Sequence, residues 1–556
     1  MDAGRKRGGG EEIPSDAMQK DDSPVTLAHP IWLIVGCCFA AIAKLTEPSL
    51  WVFYPPGEAL FGAEWARARL LTGAWSVFLV LFLVAGGLLG DYFGRRRVLL
   101  GGLLAATGAN ALLILGPSTA SHFVLRIVAQ TSATLVLPLT LAPLYMYFHG
   151  RQRLTAFGWY VVVTSLAAVF SSPQANYMLR HFGWQGAYLT SLVFGGVGFV
   201  LLLFSLPESR NVNRTTPYAT LYAGWTLIVL SAVYLVIHLG FIRVWFVPVM
   251  VITTMVMIVG AGFVIWWDVR TPGNLFQHWG VRQRDLTMLI AVGVVIQLVL
   301  MGFFLPTFRY FGVVKNYDLL SRLLALLPLF IGMLVAVYFV ARIWEDGRVR
   351  RLLTLNLAVC SVAIAFLSIA PAHLPYAAQI LPLCVFGFSI TAAKTIWADA
   401  FFQTVIDDYI GLNAAINSAT MQIGSALGSA LGGHLIVLYG YREFRNQLAS
   451  FFDPERIRQL YTQLVETTMM AGALPAIDLR ASGTDIWQEY VQSYATGYSQ
   501  TMLTLVGISS ATALVIYFGL RRSMRYSAEE VEVDLKASVF EDPLPLLPED
   551  LLTIDD

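Results

Sequence analysis

Apolar runs of about twenty residues recur along the whole chain, and this feature limits the possible folds more than any other. A helix needs about twenty apolar residues to cross the hydrocarbon core of a bilayer, which is about 30 Å thick. Only 13% of the 556 residues are charged, whereas a soluble protein carries roughly 25%. The runs therefore predict membrane spans.

We count about fourteen such runs. Their approximate bounds are 31–54, 68–90, 98–116, 122–147, 156–178, 186–206, 219–239, 244–267, 285–308, 320–343, 352–370, 376–402, 412–438 and 498–520. A helix satisfies its own backbone hydrogen bonds in lipid, and the alternating ten-residue pattern of barrel strands is absent from the sequence. We predict an all-α polytopic membrane protein with about 14 transmembrane helices.

Basic residues gather in every second connection between the predicted spans. These connections hold Arg95, Arg96 and Arg97; Arg151 and Arg153; Arg210 and Arg214; Arg282 and Arg284; Arg348, Arg350 and Arg351; and Arg521, Arg522 and Arg525. Short cytoplasmic loops are enriched in Lys and Arg, so this pattern predicts that both termini are cytoplasmic. The connection near 404–411 is an exception, with Asp407, Asp408 and no base. We expect an integral protein of a plasma membrane or a bacterial inner membrane.

Three segments stand apart from the predicted bundle. Residues 1–29 and 527–556 are polar tails, the second of them acidic, and both are expected to be disordered in the cytoplasm. The alternative for the acidic tail is a segment that binds a partner. Residues 439–497 form a predicted extracytoplasmic loop with an amphipathic helix that begins at Asp453 and Pro454. An accessory envelope protein is a possible partner for this loop.

The connection between the second and third spans reads GLLGDYFGRRR. It resembles the GxLxDRxGRR signature of the major facilitator superfamily, and Tyr92 stands where that family usually has Arg. The matching positions are Gly87, Leu89, Asp91, Gly94, Arg95 and Arg96. The resemblance implies two six-helix bundles, here 30–207 and 285–526, joined by two extra spans in 208–284. It also implies that Asp91 pairs with a base, contacts the neighbouring bundle and favours one access state.

Other motifs are similar to the fourteen-span drug:proton antiporter branch of that family. They include the middle insertion and the GSALGSALGG run in span thirteen. Arg126 with Gln130 resembles an RxxxQ element whose Arg faces the central cavity. Span five keeps only Pro173 of the branch's Gly-Pro element, and a proline there can still kink a gating helix because it removes a backbone hydrogen bond.

Five ionisable residues fall inside predicted spans and are candidates for the substrate or proton pathway: Lys44, Glu47, Arg126, Lys394 and Asp399. Such residues are costly in lipid and usually face a cavity, a partner or an ion path. Lys44 and Glu47 share a helix face and can neutralise each other. Alternatively, Glu47 contacts both Lys44 and Arg126, and its protonation frees a cation, which would couple proton and substrate.

Lys394 and Asp399 lie five residues apart, about 140° around a helix, and are therefore not expected to pair with each other. Each needs another partner or water. The position of their span predicts that Lys394 lies near the cavity and Asp399 near the cytoplasmic mouth. The alternative for Asp399 is a carboxylate that reaches the membrane interface.

The sequence contains no phosphate-binding loop, zinc-ligand spacing or nucleophile elbow. We therefore expect neither an enzyme nor a metal or organic cofactor, with a proton gradient as the energy source. The net charge of +1 gives no nucleic-acid surface. The leading hypothesis is an antiporter that exports lipophilic or amphipathic compounds and contributes to multidrug resistance. The alternatives are a proton-independent facilitator or importer, and a transporter-like sensor or assembly protein.

Overall fold

A computed structural model describes residues 30–46, 82–115, 119–209, 283–343, 348–369, 375–403, 410–470 and 486–520. These segments form helices and turns, and none of their residues lies in a strand. The helices are α1 Pro30–Thr46, α2 Phe82–Phe93, α3 Arg95–Ile114, α4 Thr119–Tyr147, α5 Gly150–Ser205, α6 Gln283–Val313, α7 Leu319–Ala325, α8 Leu327–Ile343, α9 Val349–Ser368, α10 Tyr376–Gln403, α11 Ile410–Leu448, α12 Pro454–Met470 and α13 Ile486–Gly519.

Eight of the described helices are long and apolar enough to cross a membrane, and three more apolar helices are shorter. Large apolar side chains, including Phe204, Val362 and Phe518, point outward from the bundle and are exposed. So much apolar surface fits lipid rather than water. The predicted fold class is confirmed. The number fourteen stays a prediction, because the runs 219–239 and 244–267 lie outside the described residues.

The helices form two groups. In the N-terminal group, α1 packs on α5, and α3 packs on α4 and α5. In the C-terminal group, α6 packs on α11, α8 on α10, and α9 on α13. The groups meet where α5 contacts α8 and α10, and where α4 contacts α11.

The GSALGSALGG run explains how closely α6 and α11 approach. Its glycines recur every four residues, so they share one helix face. A Cβ added at Gly424 would lie 2.4 Å from the carbonyl oxygen of Val294, and one at Gly428 would lie 2.3 Å from that of Leu298. Small residues that let two backbones touch are typical of helix packing within membranes.

The helix α5 contains two predicted spans, 156–178 and 186–206. Its backbone departs from helical geometry at Gly183, where φ is 69°, a value that glycine adopts without strain. Pro173 lies within α5, ten residues before this break. The two spans are therefore separated at Gly183.

The predicted loop 439–497 begins and ends in helix, and its position outside the membrane stays a prediction. The helix α11 continues to Leu448, and α13 already begins at Ile486. With 39 residues, α11 is about 58 Å long, almost twice the thickness of a hydrocarbon core. Apolar periodicity marks only the lipid-crossing part of such a helix, so the sequence did not reveal its extension.

The amphipathic helix expected at Asp453 and Pro454 is present as α12. Its apolar face is buried and includes Ile457, Leu460 and Tyr461. The Tyr461 ring packs on Phe444 of α11 and Tyr490 of α13, with ring centroids 5.3 and 5.8 Å away. The helix α12 therefore braces the extended parts of α11 and α13.

Candidate functional site

Charged residues from both helix groups meet at one end of the bundle, which we call the Asp91 end. The helix ends that lie here include the C-terminal ends of α2, α4, α5 and α10 and the N-terminal ends of α3, α5 and α11. Asp91, Arg153 and Asp399 lie at these helix ends. Two separate contacts join the groups at this end.

The first contact joins Asp91 of α2 to the beginning of α11. The backbone N–H groups of Gly411 and Leu412 donate to Asp91 Oδ1 at 3.0 Å and Oδ2 at 2.9 Å. The first N–H groups of a helix have no partner within it and carry partial positive charge, so a carboxylate here is stabilised. Asp91 thus caps a helix of the other group.

Arg95 holds the Asp91 carboxylate in this position. Its Nε donates to Asp91 Oδ1 at 2.8 Å, its NH2 lies 2.7 Å from the same oxygen, and both side chains are buried. One charge-assisted pair and two backbone hydrogen bonds therefore meet on one carboxylate.

The other signature residues shape this connection. Gly94 has φ 107°, a conformation that favours glycine. A Cβ added at Gly87 would lie 2.3 Å from the carbonyl oxygen of Gly411, so α2 and α11 touch through their backbones. Arg96 donates to the carbonyl oxygen of Leu203 at 2.8 Å. Leu89 and Tyr92 are exposed.

The second contact is an ion pair between Arg153 of α5 and Asp399 of α10. Arg153 Nε lies 2.5 Å from Asp399 Oδ1, and Gln403 donates to Oδ2 at 2.8 Å. Asp399 is 0% exposed. The alternative in which Asp399 reaches the membrane interface is therefore wrong, because a cation from the other group balances its charge.

Arg153 was missed as a site residue. The sequence marked it only as one base of a connection, and its distance of 246 residues from Asp399 hides the pairing. The feature of the sequence that could have indicated Arg153 was its position in the first turn of a helix, at the end of a predicted span.

Aromatic rings surround this ion pair. Phe402 of α10 stacks on Tyr145 of α4 and Phe157 of α5, with centroids 4.9 and 5.7 Å away. The Arg153 guanidinium lies 4.9 Å from the centre of the Tyr145 ring. The Asp91 end is thus sealed between the groups by apolar contacts as well as by charges.

In the N-terminal group, Lys44, Arg126 and Gln130 are all buried. Arg126 and Gln130 lie one turn apart on α4, and the guanidinium of Arg126 is 5.6 Å from the centre of the Tyr188 ring. Lys44 lies in the last turn of α1. Glu47, its predicted partner, lies outside the described residues.

In the C-terminal group, Lys394 of α10 is buried, and the structure shows no hydrogen bond or ion pair between it and another described residue. Buried polar atoms without hydrogen bonds also occur on α10 itself and on the neighbouring helices α6 and α11. They are Gln297 Oε1, Thr391 Oγ1, Thr395 Oγ1, Asn413 Oδ1 and Asn417 Nδ2. Buried polar groups are usually hydrogen-bonded, so this part of the bundle has unused capacity to bind a polar group.

The architecture is that of a membrane transporter with two helical halves. A solved structure of the human organic anion transporter MFSD10 (TETRAN) covers 86% of this chain and 98% of its own, with a TM-score of 0.52 and 14% sequence identity. At this identity the likeness shows the fold alone.

The Major Facilitator Superfamily model matches residues 32–429, and the chain belongs to this superfamily. The resemblance noted at GLLGDYFGRRR is confirmed, and the protein is a secondary transporter rather than an enzyme.

Three relatives are similar to this chain over most of their own length. The multidrug resistance protein Stp of Mycobacterium tuberculosis is 21% identical over 402 residues, 72% of this chain and 73% of Stp. The drug efflux pump JefA of the same species is 22% identical over 405 residues, 72% and 77% of the two chains. The multidrug efflux pump LfrA of Mycolicibacterium smegmatis is 22% identical over 498 residues, 87% and 96% of the two chains.

Proposed function

We propose that this protein exports lipophilic or amphipathic compounds by alternating access, in exchange for protons, across a plasma membrane or bacterial inner membrane. The observation that carries the proposal is the pair of charged contacts between the helix groups at the Asp91 end. The names of JefA and LfrA, which are efflux pumps, and of Stp, a multidrug resistance protein, support export as the direction.

We assign the Asp91 end to the cytoplasmic side, an orientation that the basic connections support. With this orientation, the contacts of Asp91 and Asp399 hold the cytoplasmic side closed. Cargo enters from the cytoplasm only after these contacts break, and it leaves on the other side after they form again. Contacts that form and break in this way are what an exporter with two access states needs.

Proton coupling is assigned to the buried charges of the N-terminal group. Lys44 and Arg126 bring two cations into a region that lipid surrounds, and such charges need a counter-charge. We assign this role to Glu47, which follows Lys44 by three residues. When a proton neutralises Glu47, the freed cation changes the balance between the two access states.

The test is proton release from acidified inverted membrane vesicles after addition of tetraphenylphosphonium or ethidium. We expect each cation to dissipate the pH gradient in vesicles with the wild-type protein. The effect should be lost with Glu47→Gln and kept with Glu455→Gln, a carboxylate change on the exposed face of α12.

Two results would reject parts of this function. A gradient that never responds, although labelled compound still exchanges across the membrane, would identify a proton-independent facilitator. Vesicles that move no compound at all, under any gradient, would leave the sensor or assembly alternative. In that case the partner would meet the polar face of α12, because its apolar face is packed inward.

A further inference from the structure

Lys394 differs from the other buried charges at the Asp91 end because no carboxylate balances it within the described part of the chain. Asp91 is bound by Arg95 and by α11, and Asp399 is bound by Arg153 and Gln403. Lys394 itself is 9% exposed. A buried ammonium group without a counter-charge is unfavourable in the apolar interior of a membrane protein. The lysine therefore either gives up its proton or binds an anion.

The direction of Lys394 follows from its neighbours on α10. Trp397 faces α6, because its Nε1 donates to the carbonyl oxygen of Leu289 at 2.6 Å. Phe402 faces the N-terminal group through its stacked rings. At about 100° per residue, Lys394 lies about 60° from Trp397 and about 80° from Phe402, in the sector between these two directions. It is therefore directed toward the region between α6 and the N-terminal group.

A polar residue of α6, Gln297, lies at the same depth in the bundle as Lys394. A Cβ added at Gly293 of α6 would touch Trp397, and it would touch Thr420 of α11 as well, so the three helices meet at this level. Lys394 lies one turn from Trp397, and Gln297 lies one turn from Gly293. Because α6 and α10 run in opposite directions, both turns lead away from the Asp91 end. Lys394 and Gln297 are thus at matching depth.

Some of the buried polar groups near Lys394 that have no hydrogen-bond partner are donors. The hydroxyl of Thr391, one turn from Lys394 on α10, is buried without a partner, as is the hydroxyl of Thr395. A carboxylate, sulfonate or phenolate accepts hydrogen bonds from these groups and balances an ammonium charge.

We infer that Lys394 binds an acidic group of the cargo, so that the exported compounds include amphipathic organic anions and zwitterions. This inference rests on the proposed export function. In it, Lys394 supplies the charge, the hydroxyls supply hydrogen bonds, and the carbonyl oxygen of Gln297 accepts from a donor elsewhere on the cargo. A neutral or purely cationic compound would be exported without using the lysine.

The experiment compares two dyes that share a skeleton, rhodamine B with its free carboxylate and rhodamine B ethyl ester. Binding to the purified full-length protein is measured by fluorescence polarisation, and transport by uptake into inverted vesicles. We expect Lys394→Met to weaken binding of the acid by about tenfold, the usual value of a buried charge-assisted hydrogen bond. Binding of the ester should change by less than about twofold.

Two further variants complete the set. Lys394→Arg keeps the positive charge and should bind the acid within about threefold of wild type. Lys315→Met removes a lysine that follows the far end of α6 and should change neither dye. Equal losses for acid and ester in Lys394→Met, or no loss for the acid, would overturn the inference.

The wild-type protein alone gives an independent test, which holds even if a Lys394 variant does not fold. It should bind the acid more tightly than the ester. Transport of the ester without the acid would overturn the anion site and leave the export function standing. Transport of neither dye would count against both.

Discussion

The buried negative charge of Asp399 is balanced by one residue of the other helix group. Its side chain is 1% exposed, and Arg153 supplies the counter-charge from α5. Removal of one partner of such a pair leaves a charge buried without compensation, whereas neutralisation of both partners does not. A double variant that neutralises both partners should therefore be more stable than a variant that removes Arg153 alone.

We expect Arg153→Met to destabilise the protein by about 3–5 kcal/mol, because it strands the Asp399 carboxylate. Arg153→Met combined with Asp399→Asn should recover much of this loss. The midpoint of thermal unfolding in detergent measures both. Arg97→Met is the control, because its contact with Glu208 is exposed and exposed pairs contribute about 1 kcal/mol or less. A double variant that unfolds below Arg153→Met would contradict the prediction.

Among the helices, α2 and α11 approach each other more closely than side chains allow. Gly87 makes this possible, since a Cβ there would lie 2.3 Å from a backbone oxygen of α11. The same approach brings Asp91 to the first N–H groups of α11. A methyl group at position 87 would therefore disturb the contact between Asp91, one turn further along α2, and the beginning of α11.

We expect Gly87→Ala to slow export by about tenfold, because α2 and α11 must separate and Asp91 loses its position; a tenfold change corresponds to about 1.4 kcal/mol. Gly101→Ala is a matched control, since a Cβ there meets no atom within 4 Å. It should keep the wild-type rate and gain slightly in helix stability. Uptake of ethidium into inverted vesicles measures both. The prediction fails if the two alanines have the same effect.

The helix α12 holds the extended ends of α11 and α13 through Tyr461. Its ring is buried against Phe444 and Tyr490, and its hydroxyl donates to the carbonyl oxygen of Val437 at 3.3 Å. Large-to-small changes at such aromatic positions typically cost about 3–5 kcal/mol. The loss should be local, because these contacts of Tyr461 lie toward the end of α11 and the beginning of α13.

We expect Tyr461→Ala to make the region around α12 sensitive to protease while the spanning helices stay intact. Gln459→Ala, on the exposed face of the same helix, should leave protection unchanged. Limited proteolysis of right-side-out and inverted vesicles measures the effect and the side of the membrane together. Cleavage of the variant only in inverted vesicles would reject the predicted extracytoplasmic position.

For the whole molecule, alternating access requires that the two helix groups separate at the Asp91 end in each cycle. The stack of Tyr145 on Phe402 joins the groups there, with ring centroids 4.9 Å apart. A covalent bridge across this contact would hold the end closed. The native cysteines Cys37, Cys38 and Cys360 are buried and Cys384 is partly buried, so all four are replaced before the bridge is introduced.

We expect the variant Tyr145→Cys with Phe402→Cys to stop exporting ethidium after treatment with a short bifunctional thiol reagent that a reductant cleaves. Export should return after reduction. Each single cysteine variant, treated in the same way, should keep its own rate. Export that continues through an intact bridge would show that the groups do not separate at this end.

The resemblance at GLLGDYFGRRR and the apolar runs gave the family and the helical class without any tertiary information, because lipid imposes length and apolarity on each span separately. Helix ends were less predictable. The continuation of α11 to Leu448 lies in a polar stretch that apolar runs do not mark, whereas the break of α5 at Gly183 falls in the connection predicted between the spans 156–178 and 186–206.

The sequence predicted individual residues of the site but not the contacts between them. Arg126, Lys394 and Asp399 were identified because charges are rare in spans, and Asp91 was identified from the resemblance at GLLGDYFGRRR. Their partners come from distant segments: Arg153 reaches Asp399 from the other helix group, and the N-terminus of α11 reaches Asp91. The sequence by itself determined a membrane-embedded helical transporter, since hydrophobicity acts locally. Only the tertiary structure decided which buried charges are balanced, because a counter-charge depends on distance in space and not along the chain.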